Sequence, residues 1–181
     1  SWEANLHNSA GSGVRTNAHR LTAFGNAATA GLFVGSAYML GRWTGNDRLK
    51  ETASLSAEAL IDAGIWVTLI KGLTARTRPS LNGQGDFFQY SPKNGQSNGS
   101  FPSGHAMVAF SFATVLAEQY HDKRWVPWIA YGTATLIAYS RVALARHWPS
   151  DVIAGAVLGN SIGRMVYARA HGEHGGFPGR I

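Results

Sequence analysis

Apolar residues recur along this chain with the spacing of helices, and this pattern limits the possible folds more than any other feature. The apolar stretches cover residues 21–40, 59–70, 106–116, 125–144 and 152–166. No stretch alternates with the period of two that marks a half-buried strand. The pattern predicts an all-α fold, a single bundle of about five main helices at residues 16–42, 47–73, 103–120, 123–146 and 149–170.

The length of 181 residues is suited to one domain with its own core, so residues 1–181 are predicted to form a single helical domain. The two ends, residues 1–15 and 171–181, are expected to be flexible. The longest irregular segment, residues 74–101, joins the second and third helices, and a loop of that length in a compact domain is usually functional or mobile.

Lys and Arg outnumber Asp and Glu by six, which favours an anionic partner, either a phosphate-bearing molecule or a membrane surface. The basic residues form no run, so nucleic acid is not expected as a partner. The absence of Cys excludes disulfides, thiolate metal sites and a Cys nucleophile. We read no signal peptide at the polar N-terminus. The sequence alone leaves the oligomeric state open.

Membrane association is a separate question, because a spanning helix needs about 20 mostly apolar residues. Residues 21–40 and 125–144 reach that length but are rich in small and polar residues, and the mean hydropathy is −0.10. These features favour a soluble or membrane-associated bundle. Gly155, Gly159 and Gly163 form a small-residue stripe that fits close helix packing, either in lipid or inside a soluble bundle.

The first motif with chemical potential is KGLTARTRP, residues 71–79. Lys71 offers a compact positive charge, and Arg78 a planar fork that can bind two phosphate oxygens. Pro79 favours an extended backbone at Arg78. Cations also suit the end of any helix because of its dipole, and that explanation would be sufficient if the motif stood alone.

The second motif is FPSGH, residues 101–105, at the predicted start of the third helix. Ser103 is a preferred N-cap, and Gly104 lets the backbone approach a ligand closely. Free N–H groups at a helix start bind anions. His105 at this position can donate a proton to a departing oxygen. The alternative explanation, a capped helix with an incidental His, accounts for Ser103 only.

The third motif is SRVALARHWPSD, residues 140–151. His147 precedes the last helix, and Asp151 lies one turn further, so its carboxylate can reach the imidazole and leave the other ring nitrogen free to attack. Arg141 can point into the same space. A surface His, with Asp151 serving the helix dipole, explains this motif equally well when it is taken alone.

Together the three motifs resemble the signature of the superfamily that joins type-two phosphatidic acid phosphatases, bacterial non-specific acid phosphatases and vanadium haloperoxidases. The order of the motifs and the spacing inside each also match, over about residues 71–151. The matching residues are Lys71, Arg78, Pro79, Pro102, Ser103, Gly104, His105, Ser140, Arg141, His147 and Asp151.

The resemblance implies a metal-independent, vanadate-sensitive phosphatase that acts on phosphomonoesters or pyrophosphates, with a lipid phosphate as a plausible substrate. His147 would form a phosphohistidine, oriented by Asp151, and His105 would protonate the leaving group and then activate water. The expected phosphate-binding residues are Lys71, Arg78, Ser103, Gly104 and Arg141. The resemblance implies no cofactor, although vanadate or phosphate could occupy the pocket, and it suggests an extracytoplasmic location.

Two other functions stay open at this point. The same anion pocket suits a vanadium-dependent haloperoxidase, although those enzymes are typically much larger. A non-catalytic helical binding protein with a degenerate pocket is the third possibility, and the intact motifs speak against it.

Overall fold

The computed structural model describes residues 27–81, 84–90 and 99–172, which form five α-helices and no strand. The predicted all-α bundle is confirmed. Residues 16–26 of the first predicted helix lie outside the described residues. So do residues 1–15 and, apart from residues 171 and 172, the end 171–181, both of which were expected to be flexible. The helices are α1 (Ala27–Thr44), α2 (Asp47–Thr74), α3 (Gly104–Gln119), α4 (Trp125–Ala143) and α5 (Pro149–Ala170).

Local capping determines where these helices begin and end. The Asn46 side chain caps α2 by accepting the Leu49 N–H at 3.0 Å. At the other end of α2, Ala75 adopts a left-handed conformation (φ 39°) and donates its N–H to the Lys71 carbonyl. The fourth helix is shorter than the predicted 123–146, because the chain leaves the helix before Ala145, whose φ is 51°.

The glycine stripe brings α5 against α3 with backbone in contact with backbone. A Cβ added at Gly155 would lie 2.5 Å from the Ser103 carbonyl oxygen, and one at Gly159 would lie 2.2 Å from the Met107 carbonyl oxygen. Both distances are far below van der Waals contact. Close packing therefore explains the stripe, and only glycine allows the two helices to approach this closely.

Helix α3 is the centre of the bundle and packs against α2, α4 and α5, while α1 packs against α2. Short connections make consecutive helices from α3 to α5 antiparallel, so the start of α3, the end of α4 and the start of α5 share one end of the bundle. The Ser103 N–H donates to the Asp151 carbonyl at 2.9 Å, which ties two of these ends together. The three motifs meet here, at one end of the bundle, as the sequence predicted.

Large apolar side chains are exposed on the outer faces of α1, α2, α4 and α5, among them Phe33, Trp66 and Trp128. Exposure of many large apolar side chains is typical of proteins that contact a membrane or a partner. Within the described helices, α2 has the length and apolar composition of a membrane span. The lengths of the apolar stretches had instead singled out residues 21–40 and 125–144.

Candidate active site

The loop between α2 and α3 is anchored by its own backbone hydrogen bonds. Thr77 donates its N–H to the Asp86 carbonyl at 3.0 Å, and Ser100 donates its N–H to the Arg76 carbonyl at 2.8 Å. A short 3-10 turn, Pro79–Leu81, follows Arg78. The described parts of the loop thus hold Arg78 and Ser100 over the end of the bundle at which α3 and α5 begin.

His147 lies in the connection between α4 and α5, and only 3% of its surface is exposed. Its Nδ1 is 2.7 Å from the Ser100 carbonyl oxygen. A carbonyl oxygen only accepts hydrogen bonds, so Nδ1 carries the proton and Nε2 keeps its lone pair. Burial and the positive charges of Lys71 and Arg78 hold the pKa of His147 below its usual value, which leaves the ring neutral near pH 7.

The predicted contact between Asp151 and the His147 ring is longer than a hydrogen bond. Asp151 Oδ2 lies 3.8 Å from Nδ1, and the Ser100 carbonyl takes the position expected for the carboxylate. The two groups remain within ion-pair distance, so the Ser100 carbonyl sets the tautomer while the carboxylate acts to raise the pKa of the ring. The orienting role of Asp151 stays a prediction.

Asp151 is completely buried, and both of its carboxylate oxygens have donors. Oδ2 accepts from the Ser100 hydroxyl at 2.6 Å and from the Trp148 N–H at 2.9 Å, while Oδ1 accepts from Arg76 Nη1 at 2.5 Å. Burial alone would raise the pKa of this carboxyl, but the hydrogen bonds and the Arg76 charge hold it below its usual value. Asp151 is thus a fixed anion beside His147.

His105 lies in the first turn of α3, among the cations of the site. Burial, followed by the positive charges of nearby groups that include Arg141, Lys71 and Arg78, lowers the pKa of His105 to about 3. Each of these groups acts on His105 only because it is near. The predicted phosphate-binding cations thus lie near one imidazole: Lys71 from α2, Arg78 from the loop and Arg141 from the end of α4.

Ser103 is completely buried at the start of α3, and its Oγ accepts the Ala106 N–H at 3.4 Å. It is the N-cap that the sequence predicted. As an acceptor in this bond, the hydroxyl keeps its own hydrogen to donate to an anion. Gly104 follows as the first helical residue, and a Cβ there would meet Val67 at 3.3 Å. This tight packing keeps the helix start, with its N–H groups, close to the end of α2.

Comparison with known proteins agrees with this arrangement. The PAP2 superfamily model matches residues 53–173. The chain belongs to the PAP2 superfamily. It is 36% identical over 75 residues to a lipid A 1-phosphatase of Porphyromonas gingivalis, covering 41% of this chain and 17% of that protein. It is 41% identical over 63 residues to an undecaprenyl-diphosphatase of Sulfolobus acidocaldarius, covering 35% of this chain and 30% of that protein.

The chain therefore matches less than a third of the length of either relative. Among solved structures, the crystal structure of Aquifex aeolicus LpxE superposes with a TM-score of 0.72 at 22% identity, covering 92% of each chain. This likeness supports the fold. The PAP2 match spans all three motifs and hence every residue of the candidate site.

The sequence reasoning missed Arg76, which holds the Asp151 carboxylate and ties the loop to the start of α5. Besides Asp151, it donates to the Ser150 hydroxyl at 2.8 Å and to the Gly85 carbonyl at 3.0 Å. Its guanidinium lies 5.4 Å from the centre of the Trp148 ring. Arg76 lies inside the first motif, so its charge could be read from the sequence. Its contacts with Ser150 and Asp151 could not, because these residues lie 74 and 75 positions away.

Ser100 was missed as well, since it contributes mainly a carbonyl. A backbone carbonyl has no signature in a sequence, because every residue has one. Only the path of the loop places it against His147.

Proposed function

We propose that this chain is a metal-independent phosphatase that hydrolyses phosphomonoesters or pyrophosphates, with a lipid phosphate as substrate, through a phosphohistidine on His147. The observation that carries the proposal is the Nδ1 hydrogen bond of His147 to the Ser100 carbonyl, beside a cluster of cations. That bond leaves the Nε2 lone pair available as a nucleophile. The cations supply the charge stabilisation on which phosphoryl transfer depends.

In the first step, Nε2 of His147 attacks phosphorus and the bond from phosphorus to the leaving oxygen breaks. His105, which becomes protonated as the bound phosphate offsets the surrounding positive charges, gives its proton to that oxygen. In the second step, His105 takes a proton from water, the hydroxide attacks phosphorus, and the bond between phosphorus and nitrogen breaks. Phosphate leaves, and both imidazoles return to their starting states.

The phosphate oxygens would be held by the side chains of Lys71, Arg78 and Arg141 together with the Ser103 hydroxyl and the Gly104 N–H. Asp151 would not contact the phosphate. It would hold Ser100 and the start of α5 in place, and its negative charge would stabilise the positive charge that develops on His147 as the new bond forms. No metal is needed for these steps. In the described part of the chain, no three His, Asp or Glu side chains are grouped to hold one.

The substrate class is supported by the named relatives, one a lipid A phosphatase and the other an undecaprenyl-diphosphatase. The exposed apolar faces of α1, α2 and α4 support membrane association. We further propose that residues 1–181 act as one domain with its site on the extracytoplasmic side. Since the chain has no Cys, a single Cys introduced near the site and labelled from outside intact cells tests that orientation.

The mechanism is tested with ³²P-labelled substrate and a rapid quench in alkaline SDS, which preserves a bond between phosphorus and nitrogen. Parent enzyme should show an acid-labile, alkali-stable phosphoprotein, and His147→Ala should show neither the phosphoprotein nor turnover. His121→Ala is the matched control, since His121 is exposed and hydrogen-bonds only to the nearby Glu118 carbonyl. Full hydrolysis by His147→Ala would exclude this nucleophile.

A substrate panel of phosphatidic acid, isoprenyl pyrophosphate and p-nitrophenyl phosphate, each assayed with EDTA, tests the class. Turnover in EDTA and inhibition by vanadate are expected. Halide oxidation with vanadate and peroxide, in the absence of any hydrolysis of phosphate esters, would instead indicate a haloperoxidase.

A further inference from the structure

An apolar groove of about 610 Å³ lies between α1, α3 and α4, outside the candidate active site. Its walls include Phe33 from α1, Phe112 from α3 and Ile129 from α4. Among the described residues that line it, Lys123 in the turn between α3 and α4 is the only charged one. The groove is too large and too apolar to be explained by the phosphate chemistry at the end of the bundle.

The groove lies on the same faces of α3 and α4 as two residues of the candidate active site. On α3, the lining residues Ala109 and Phe112 lie four and seven positions after His105, so all three share one face of the helix. On α4, the lining residues Ile137 and Ala134 lie four and seven positions before Arg141, so these three residues also share one face of their helix. The groove therefore begins about one turn from the proton donor and the phosphate-binding Arg.

The end of the groove nearest the candidate active site, at Val108 of α3, is its mouth. From there the groove follows α3 for eight residues, as far as Leu116. At 1.5 Å per residue this is a length of about 12 Å. Its far end is bordered by Tyr120, Lys123 and Trp125. A ligand that fits must have an anionic head at the mouth and an apolar tail along the helices.

We propose that this groove binds one hydrocarbon chain of an amphiphilic phosphate substrate while its phosphate occupies the cationic pocket. This inference rests on the proposed phosphatase function and specifies its substrate. Charge complementarity supports it, since the positive charge is concentrated at the mouth, around His105, and the walls are apolar. A soluble phosphomonoester would leave the groove unused.

The geometry predicts a dependence on chain length. In a series of monoalkyl phosphates, kcat/KM should rise about fourfold for each methylene that enters the groove, the effect of burying one CH₂. The rise should stop once the chain is longer than the groove. Detergent is held at one concentration throughout, so that only the chain varies.

Thr133→Trp tests the position of the chain. Thr133 is exposed, lines the groove, and lies eight residues before Arg141, about 12 Å along α4. The new indole should block the groove, so that long chains lose at least tenfold in kcat/KM while ethyl phosphate and p-nitrophenyl phosphate are hydrolysed as by the parent. Thr135→Trp, an exposed site on the same helix outside the lining, is the matched control and should behave as the parent.

A binding series keeps the inference independent of turnover. Alkylphosphonates, which cannot be hydrolysed at the bond from carbon to phosphorus, are titrated into parent, Thr133→Trp and Thr135→Trp. Affinity that rises with chain length in the parent and control, and not in Thr133→Trp, supports the groove even if no ester is hydrolysed. The absence of all hydrolysis would by itself overturn only the proposed function.

The inference is overturned by affinity that does not depend on chain length, or by equal effects of the two Trp substitutions. It is also overturned if Thr133→Trp converts a dimer to a monomer, because a second copy would then fill the groove. The inference is likewise overturned if affinity depends on alkyl-chain length only after residues 1–26 of the protein are deleted. In that case the N-terminal segment of the protein would be the occupant of the groove.

Discussion

Replacement of Arg76 by Ala should destabilise the protein and impair catalysis, although Arg76 contacts neither proposed reacting group. The side chain is 13% exposed, and its partner Asp151 is fully buried. Loss of Arg76 leaves a buried carboxylate without its counter-charge. Breaking such a pair by removing one partner typically costs about 3–5 kcal/mol. Arg76→Lys should be intermediate, because it keeps the charge and loses the fork that also reaches Ser150 and Gly85.

The catalytic effect follows from the chain of contacts. Arg76 holds Asp151, Asp151 accepts from the Ser100 hydroxyl, and the Ser100 carbonyl accepts from His147 Nδ1. A displacement of about 1 Å at the nucleophile can reduce the rate about 100-fold. We therefore expect kcat to fall about 100-fold in Arg76→Ala, with a smaller change in KM. Both constants are measured well below the melting temperature of the variant.

The pH dependence separates a positioning role from a general loss of stability. The pKa of Asp151 is depressed in the folded protein, so its contribution to stability is present above the unfolded pKa and is lost as pH falls through the folded pKa. Without Arg76 the folded pKa rises, and the acid limb of both stability and activity should move to higher pH. Thermal melts and kcat–pH profiles measure this. Arg164→Ala, at an Arg that is 55% exposed, is the control. A parental melting temperature and an unmoved acid limb in Arg76→Ala would refute the reasoning.

Two further predictions concern helix packing and the proton donor. Gly159→Ala should lower the melting temperature or abolish folding, because its Cβ would lie 2.2 Å from the Met107 carbonyl oxygen, whereas Gly132→Ala, with nothing within 4 Å, should be neutral or stabilising. Equal melts of the two variants would contradict the packing argument. Phosphate binding should raise the pKa of His105 from about 3, since the anion offsets the nearby positive charges. An NMR titration of the His Cε1–H signals with and without inorganic phosphate measures this, and an unchanged pKa would contradict it.

Most of the fold could be predicted from local sequence, because helices are defined by interactions within a few residues. Apolar periodicity located all five helices, and Ser103 was identified as an N-cap. The end of α4 was placed three residues too late. Ala145 carries no signal for the left-handed conformation that ends the helix, and the tertiary position of the next connection imposes it.

The same division applies to the site. Lys71, Arg78, His105 and Arg141 could be proposed from motifs, because phosphate binding needs particular side chains near helix ends, and their roles stay predictions. The partner of His147 could not be chosen in that way. Spacing pointed to Asp151, one turn along α5, and the structure instead places the Ser100 carbonyl at Nδ1, 47 residues away in the chain.

The sequence by itself thus determined which groups could do the chemistry, because charge, basicity and helix-forming tendency belong to individual residues and their near neighbours. Only the tertiary structure decided how those groups are held. The contact between Arg76 and Asp151 joins residues 75 positions apart, and the glycine contact joins α5 to the backbone of α3. The physical reason is that a buried charge is stabilised by whichever donors the folded chain brings within about 3 Å, and that proximity is a property of the whole bundle.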